Sequence, residues 1–300
     1  MQFSKIPAIE KELRETRFAG RYQLENFSFQ VPDENLLLEG LTCRPSSGYT
    51  SYYYNEVHPK EKIVLHFTAG YLKSDIQALS QKNWHVSVAF VIARDGTIYQ
   101  LHNSDVWSYH LGRGAVGGNA VGSKKSIGIE LCNYGYLVKK GNQLETIYSR
   151  VFNKVTGRNN PVDVYCSLDD TEMYTVLDEP YRGQRYYATH TEAQYESLIV
   201  LLRYLTAKHD IPRDFLSENE RYQTTAKAAH FKGILSHVNF RKSGKWDLGP
   251  AFDWERVMLG VQADAYQQQS KAALHLAKAK KTVSQAEAEL QAAQTKLERA

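Results

Sequence analysis

The chain has 300 residues and a mass of 34.2 kDa. Apolar residues make up 42% and charged residues 23%, which is ordinary globular usage, and a chain of this length buries a core without disulfide staples. Disorder throughout, a collagen-like repeat and a disulfide scaffold are therefore excluded; the net charge of +4 suits an anionic polymer as partner but is too small to argue for nucleic acid. Tyrosine is in excess, with 20 residues against 11 Phe and 4 Trp. Its flat face and polar tip suit polar organic ligands, and they also suit strands. Cys43, Cys132 and Cys166 are odd in number and include no C-x-x-C, so they read as free thiols.

Residues 1–20 alternate charged and apolar side chains and lack the apolar core of a secretory signal. No apolar run is long enough to span a membrane. Ile9–Arg17 reads as a short helix. Phe27–Tyr54 reads as irregular, with Pro32, Pro45 and Gly48 as breakers. Ile63–Phe67 is an apolar run of strand character, and Asp75–Lys82 reads as helix. Val86–Ile92 is a strand, followed by the turn Arg94–Thr97 and a return strand over Ile98–Leu101. Gly112–Gly122 is a glycine-rich loop, and Ser126–Leu131 is a buried strand. The stretch Tyr136–Tyr187 lacks helical periodicity and reads as a β-rich insertion with seven tyrosines. They are expected to line a wall beside the functional site. Thr191–Lys208 is a helix: Thr191 caps it, Gln194 completes a capping box, and Leu198, Leu201, Leu202 and Leu205 share one face. Ile234–His237 reads as a short strand, and Trp254–Leu259 as a helix.

From about Gln262 the chain becomes rich in Ala, Gln, Lys and Glu. Leu276, Val283, Leu290 and Leu297 recur every seven residues, which predicts a coiled-coil-type helix for self-association or for a partner helix. The expected organisation is an N-terminal extension (1–61), a catalytic domain (62–261, with the insertion at 136–187) and a helical tail (262–300). The expected fold is α/β: a central mixed β-sheet flanked by helices.

Two histidines and a carboxylate stand out. His66 ends a predicted strand, and His237 precedes Asp247 by ten residues. Together they can make a three-ligand zinc site with a fourth position open to water, as hydrolytic zinc sites require. Singly, each reads equally well as polar surface or as satisfied core.

The strings His66-Phe67-Thr68-Ala69-Gly70, Val86-Ser87, Arg94-Asp95-Gly96-Thr97-Ile98, Trp107-Ser108-Tyr109-His110-Leu111-Gly112, Ser126–Leu131 and His237-x9-Asp247-Leu248-Gly249-Pro250 occur in this order. In that order the chain resembles the zinc-dependent N-acetylmuramoyl-L-alanine amidases, over about Lys62 to Trp254. The resemblance implies Zn2+ held by His66, His237 and Asp247. It implies Glu130 as general base and Lys245 as the cation facing the tetrahedral oxyanion. It implies peptidoglycan or muropeptides as substrate, and it leaves Trp84, Trp107 and His110 as candidates for substrate contact. A non-catalytic peptidoglycan-binding module is the alternative. So is an amidase carried as an effector or scaffold component through its tail. With no export signal read, the resemblance implies cytosolic recycling of muropeptides or a non-classical route to the cell wall. Val88 and Ala89 stand where many family members carry tyrosine and histidine, which places the acid–base role on Glu130. Residues 238–244 and Leu248 also depart from the family pattern.

Overall fold

The structure, a computed structural model, describes Phe18, residues 20–263 and four positions of the C-terminal segment: Val283, Leu290, Gln291 and Gln294. The helix expected over Ile9–Arg17 lies outside the described residues. So does most of the heptad segment, of which the four described positions are helical.

The expected α/β architecture is found. In chain order the strands begin with β1 (Tyr22–Gln30), β2 (Leu37–Pro45), β3 (Lys62–Phe67), β4 (Phe90–Ile92), β5 (Ile98–Gln100) and β6 (Ser126–Leu131). The insertion supplies β7 (Tyr136–Lys140), β8 (Gln143–Glu145), β9 (Phe152–Asn153), β10 (Arg158–Asn159), β11 (Val164–Ser167), β12 (Tyr174–Tyr181) and β13 (Gln184–Ala188), and β14 (Gly233–Ser236) follows. The helices are α1 (Leu72–Leu79), α2 (Asn119–Lys124), α3 (Glu192–His209), α4 (Glu218–Arg221) and α5 (Trp254–Gln262).

The main sheet is mixed, in the order β1-β2-β5-β4-β6-β3-β14. Its centre is apolar on both sides, as a sheet covered on both faces requires: five of the six residues of β3 are buried. On one face Val91 and Tyr99 pack with Leu72 and Ile76 of α1. On the other, α3 packs on β2 and β4, and α5 packs on α3. The capping box of α3 forms as expected: Thr191 Oγ1 accepts from Gln194 N, and Gln194 Oε1 accepts from Thr191 N, both at 3.1 Å. All three cysteines are buried free thiols.

Three local expectations change. The segment read as irregular, Phe27–Tyr54, contributes the β1–β2 hairpin, which joins the main sheet through parallel pairing of β2 with β5. Its breakers bracket the strands rather than interrupt them: Pro32 lies in the turn and Pro45 at the end of β2. The strand expected over Val86–Ile92 shortens to Phe90–Ile92, because His85 takes a positive φ and Val86 makes only an isolated bridge to Tyr109. The first helix starts earlier, at Leu72.

One buried guanidinium ties distant parts of the chain together. Arg203 of α3 is fully buried. It pairs through Nε with Glu34, in the turn between β1 and β2, and donates through Nη1 to the Gly260 and Val261 carbonyls of α5 at 2.8 and 3.1 Å. Arg213 adds a second bond to Glu34 at 2.7 Å. Burial alone would raise the Glu34 carboxyl, but the bonds from the two arginines outweigh it and hold the group below its usual range. Removing one partner of a buried pair leaves the other charge uncompensated, at a cost of about 3–5 kcal/mol. Arg213 still faces Glu34 in Arg203→Ala, so the loss of unfolding free energy is expected near the lower end of that range, read as a fall in the urea midpoint. A midpoint equal to the wild type would show that this pair does not hold the hairpin.

Candidate active site

His66 sits near the C-terminal end of β3, and Glu130 is its register partner on β6. Register partners on adjacent parallel strands share a face, and the strands lie about 4.8 Å apart. His237 follows β14 directly, in the 3-10 turn His237–Asn239. Ser236 and Asn239 form a capping box around that turn, and Asn239 Nδ2 donates to the carbonyls of Glu220, Arg221 and Gln223. Asp247 returns to the same point, because Val238 N donates to Asp247 O at 2.8 Å and closes the loop between them.

These elements bring the three predicted ligands together, all buried. His66 Nδ1 lies 2.8 Å from His237 Nδ1 and 3.4 Å from Asp247 Oδ2, and His237 Nδ1 lies 3.0 Å from Asp247 Oδ2. A tetrahedral ion with bonds of about 2.0–2.1 Å spaces its ligands about 3.3 Å apart, so the cluster fits one.

The outward bonds of the two rings assign their tautomers. Leu111 O can only accept, so His237 Nε2–H donates to it at 2.9 Å. On the other ring the chain of bonds ends on a carbonyl. Ser126 Oγ donates to Gly122 O at 2.7 Å and so accepts from His110 Nε2–H at 2.9 Å. His110 Nδ1 is then an acceptor, and His66 Nε2–H donates to it at 3.1 Å. Both inner Nδ1 atoms are left as bare lone pairs facing a carboxylate. Burial pushes the His66 imidazole down to about 4, and the neighbouring His237 pushes it the same way, so His66 brings no second proton to the cluster at neutral pH. A cation satisfies this arrangement. Ligating histidines that donate their outer N–H to a fixed acceptor are the usual support of a metal.

Glu130 lies on the same sheet face as His66. Among the described residues its buried Oε2 has no hydrogen-bond partner. Burial, and then the nearby Asp247, raise its carboxyl well above the usual range, while Lys245 opposes the shift. The Lys245 ammonium also acts on Asp247 and His66, so the structure brings all five central residues into one electrostatic cluster.

The substrate-contact candidates separate. His110 is half-buried and sits in the chain of bonds behind His66. Trp107 is 4% exposed; it stacks on Tyr54 and donates its Nε1–H to Glu56. Trp84 is 60% exposed.

The insertion forms its own five-stranded sheet, in the order β11-β8-β7-β13-β12, over a core that includes Leu137, Tyr165 and Met173. Its tyrosines do not form the expected wall as a group. Tyr165 and Tyr187 are buried, and Tyr174 donates to Leu168 O inside the insertion. The β12–β13 hairpin instead grips the Asp247 loop. Arg182 Nη1 donates to Arg241 O at 3.2 Å and to Lys245 O at 2.6 Å, and Arg182 O accepts from Trp246 Nε1 at 3.1 Å. Tyr181 lies against Gly249, where an added Cβ would come within 2.5 Å of its ring. Sequence reading missed Arg182, Tyr181 and Trp246. The available signal was Arg182-Gly183, a two-residue turn between strands in which both φ angles are positive.

Compared with known families, residues 56–250 match N-acetylmuramoyl-L-alanine amidase. The chain belongs to this amidase family. Among solved structures, one that resembles it is AmiD from E. coli, described in complex with the substrate anhydro-N-acetylmuramic acid-L-Ala-D-gamma-Glu-L-Lys. It is 20% identical, with 72% of this chain and 64% of AmiD covered and a TM-score of 0.41. Another is the endolysin LysCS from Clostridium intestinale URNW, 18% identical over 72% of this chain and 93% of its own, with a TM-score of 0.36. A third is AmpDh3 from Pseudomonas aeruginosa, 14% identical over 76% of this chain and 68% of its own, with a TM-score of 0.40. The chain thus spans 64% of the length of AmiD. No curated protein sequence matches. Among the described residues of the amidase, no helix is long and apolar enough to cross a membrane.

His110 touches a ligand only through its outer nitrogen, and Arg182 touches the ligand loop only through carbonyls. Losing a second partner of this kind lowers metal affinity about 10–100-fold. His110→Ala and Arg182→Ala are each expected to fall in that range in a chelator-competition titration with the metal. Wild-type affinity in both variants would mean that the ligands hold their positions unaided.

Proposed function

We propose that this amidase hydrolyses the amide between the lactyl group of N-acetylmuramic acid and L-alanine, in peptidoglycan or its muropeptides, with zinc as its metal. The observation that carries the reading is the convergence of three bare donors beside a carboxylate with an unpartnered oxygen. The donor set is two neutral imidazoles and one carboxylate, as in hydrolytic zinc sites. When bound, zinc would supply Lewis acidity and make water a better nucleophile near neutral pH.

The chain's own residues supply the rest. Glu130 Oε2 faces no competing donor, and burial makes the carboxylate a stronger base than an exposed one. It takes the proton of the attacking water and returns it to the departing L-alanine amine. The Lys245 ammonium faces the oxygen on which charge develops as the carbonyl becomes tetrahedral. A fixed cation there stabilises the transition state more than the substrate. Burial of His66, His237 and Asp247 keeps bulk water from competing at the ligands.

The test is digestion of muropeptides by the zinc-loaded protein, read by mass spectrometry. Release of intact stem peptide is expected. Glu130→Gln is expected to retain stoichiometric zinc and to lose about 10²–10⁴-fold in rate, the usual share of a general base. No stem-peptide release by the wild type, or full activity in Glu130→Gln, would overturn the reading. Zinc retention without hydrolysis in the wild type would leave a binding module.

A further inference from the structure

The main sheet carries a second cavity that the metal site does not use. His66, Glu130, Val91 and Tyr99 are successive register partners across β3, β6, β4 and β5, so they share the face covered by α1. Phe90, Gln100 and Thr42 are register partners on the opposite face. On that face lies a cavity of about 630 Å³, bounded by β1, β2, β5, the end of α3 and the residues around Tyr49–Tyr53. Small-molecule sites span about 300–1,000 Å³.

Its chemistry is consistent along its length. Gln23 pairs with Arg44 across β1 and β2, and Thr42 with Gln100 across β2 and β5, so these four make one polar strip over three strands. None of the four side chains has a hydrogen-bond partner among the described residues. Flat rings stand on either side. Tyr204 of α3 is stacked on Phe29, with ring centroids 5.5 Å apart, and Tyr53 is stacked on His102 at 5.1 Å. No carboxylate is among the described lining residues. Lys208 is already paired with Asp105 at 3.1 Å, which leaves Arg44 as the open cation.

We propose that this groove binds the glycan strand of peptidoglycan with its lactyl carboxylate free, the polymer left once stem peptides are removed. The choice of glycan rests on the amidase reading above; the groove's chemistry does not. Ring faces pack on pyranose faces, and the two glutamines offer donors and acceptors to acetamido and hydroxyl groups. Arg44 supplies a planar fork for a carboxylate. One open cation matches one carboxylate per disaccharide, whereas a nucleic acid would need a row of cations for its phosphates. The zinc site on the other face cuts, and this groove holds the stripped strand.

The test is calorimetric titration of the full chain with peptide-free glycan strands and with a neutral N-acetylglucosamine oligomer of equal length. The glycan strands are expected to bind about tenfold tighter than the oligomer, the effect of one charge-assisted contact. Arg44→Ala is expected to erase that difference, and Arg44→Ala with Gln100→Ala to abolish binding. Both variants, altered at positions outside the core, should keep the wild-type melting temperature and turn over soluble muropeptides within about twofold of wild type. Absence of glycan binding by the wild type, or binding that survives the double substitution, would overturn the groove. Glycan binding without muropeptide hydrolysis would support the groove and strike the reaction instead.

Discussion

Three lone-pair donors held face to face, with the ring protons drawn to the outer nitrogens, are the constraint on which the site depends. His66 Nδ1, His237 Nδ1 and Asp247 Oδ2 crowd within 3.4 Å of one another. The outer nitrogens cannot relieve the crowding, because Leu111 O and the His110–Ser126–Gly122 chain already fix where the ring protons lie. Buried acceptors without donors are costly, and a bound cation reverses the sign of that cost. An ion held by the folded chain and not by the unfolded one also adds to stability by mass action. Loading and folding are therefore coupled at the meeting point of β3, β14 and the Asp247 loop.

The insertion takes its place from the same constraint. A strand end fixes His66, and a capped turn fixes His237, but Asp247 lies on a loop that is closed by the Val238–Asp247 backbone bond. Arg182 supplies what the loop lacks by binding the Arg241 and Lys245 carbonyls, and Trp246 returns a bond to Arg182 O. Tyr181 packs on Gly249 from the far side, and its hydroxyl is anchored on Tyr222 O. A loop read in the sequence as departing from the family pattern is thus braced by a separate sheet.

The parts of the fold legible in the sequence were those with a strong local signal. The helix Glu192–His209 has a capping box and a single apolar face, and both are seen at its start and along its length. The strands β3 and β6 were legible as short apolar runs because both their faces are covered. The ligands were legible because their order and spacing match a family, not because any one of them announces a metal. The β1–β2 hairpin was missed because β1 holds only half-buried and exposed residues, and prolines at the turn and at the end of β2 resemble interruptions. Arg182 was missed because its partners are backbone carbonyls about sixty residues away, and no local pattern encodes a bond to a main chain. His110 was legible as a motif residue, but its place behind His66 follows from the contact of β6 with the loop before α2, which only the fold supplies.

Two carboxylates share the buried centre, and their surroundings drive them apart. Burial alone would raise both. At Asp247 the facing His237, then His66 and Lys245, outweigh burial, so the group stays ionised and fit to ligate. At Glu130 burial acts almost unopposed, the charge on Asp247 adds to it, and only Lys245 pulls the other way. Among the described residues Oε2 of Glu130 has no donor to settle on, whereas Asp247 Oδ2 faces the two rings at 3.0 and 3.4 Å. Pairs of titratable groups pushed in opposite directions mark the division of labour in acid–base sites. In the proposed reaction this division would separate an anion that fixes a cation from a basic carboxylate that exchanges a proton. Lys245 touches both assignments. Its charge adds to the pull on Asp247 and limits how far Glu130 rises, so in the proposed reaction it would bear on the proton acceptor as well as on the oxyanion. The hairpin that holds the Lys245 carbonyl would then bear on the proposed base as much as on the ligand.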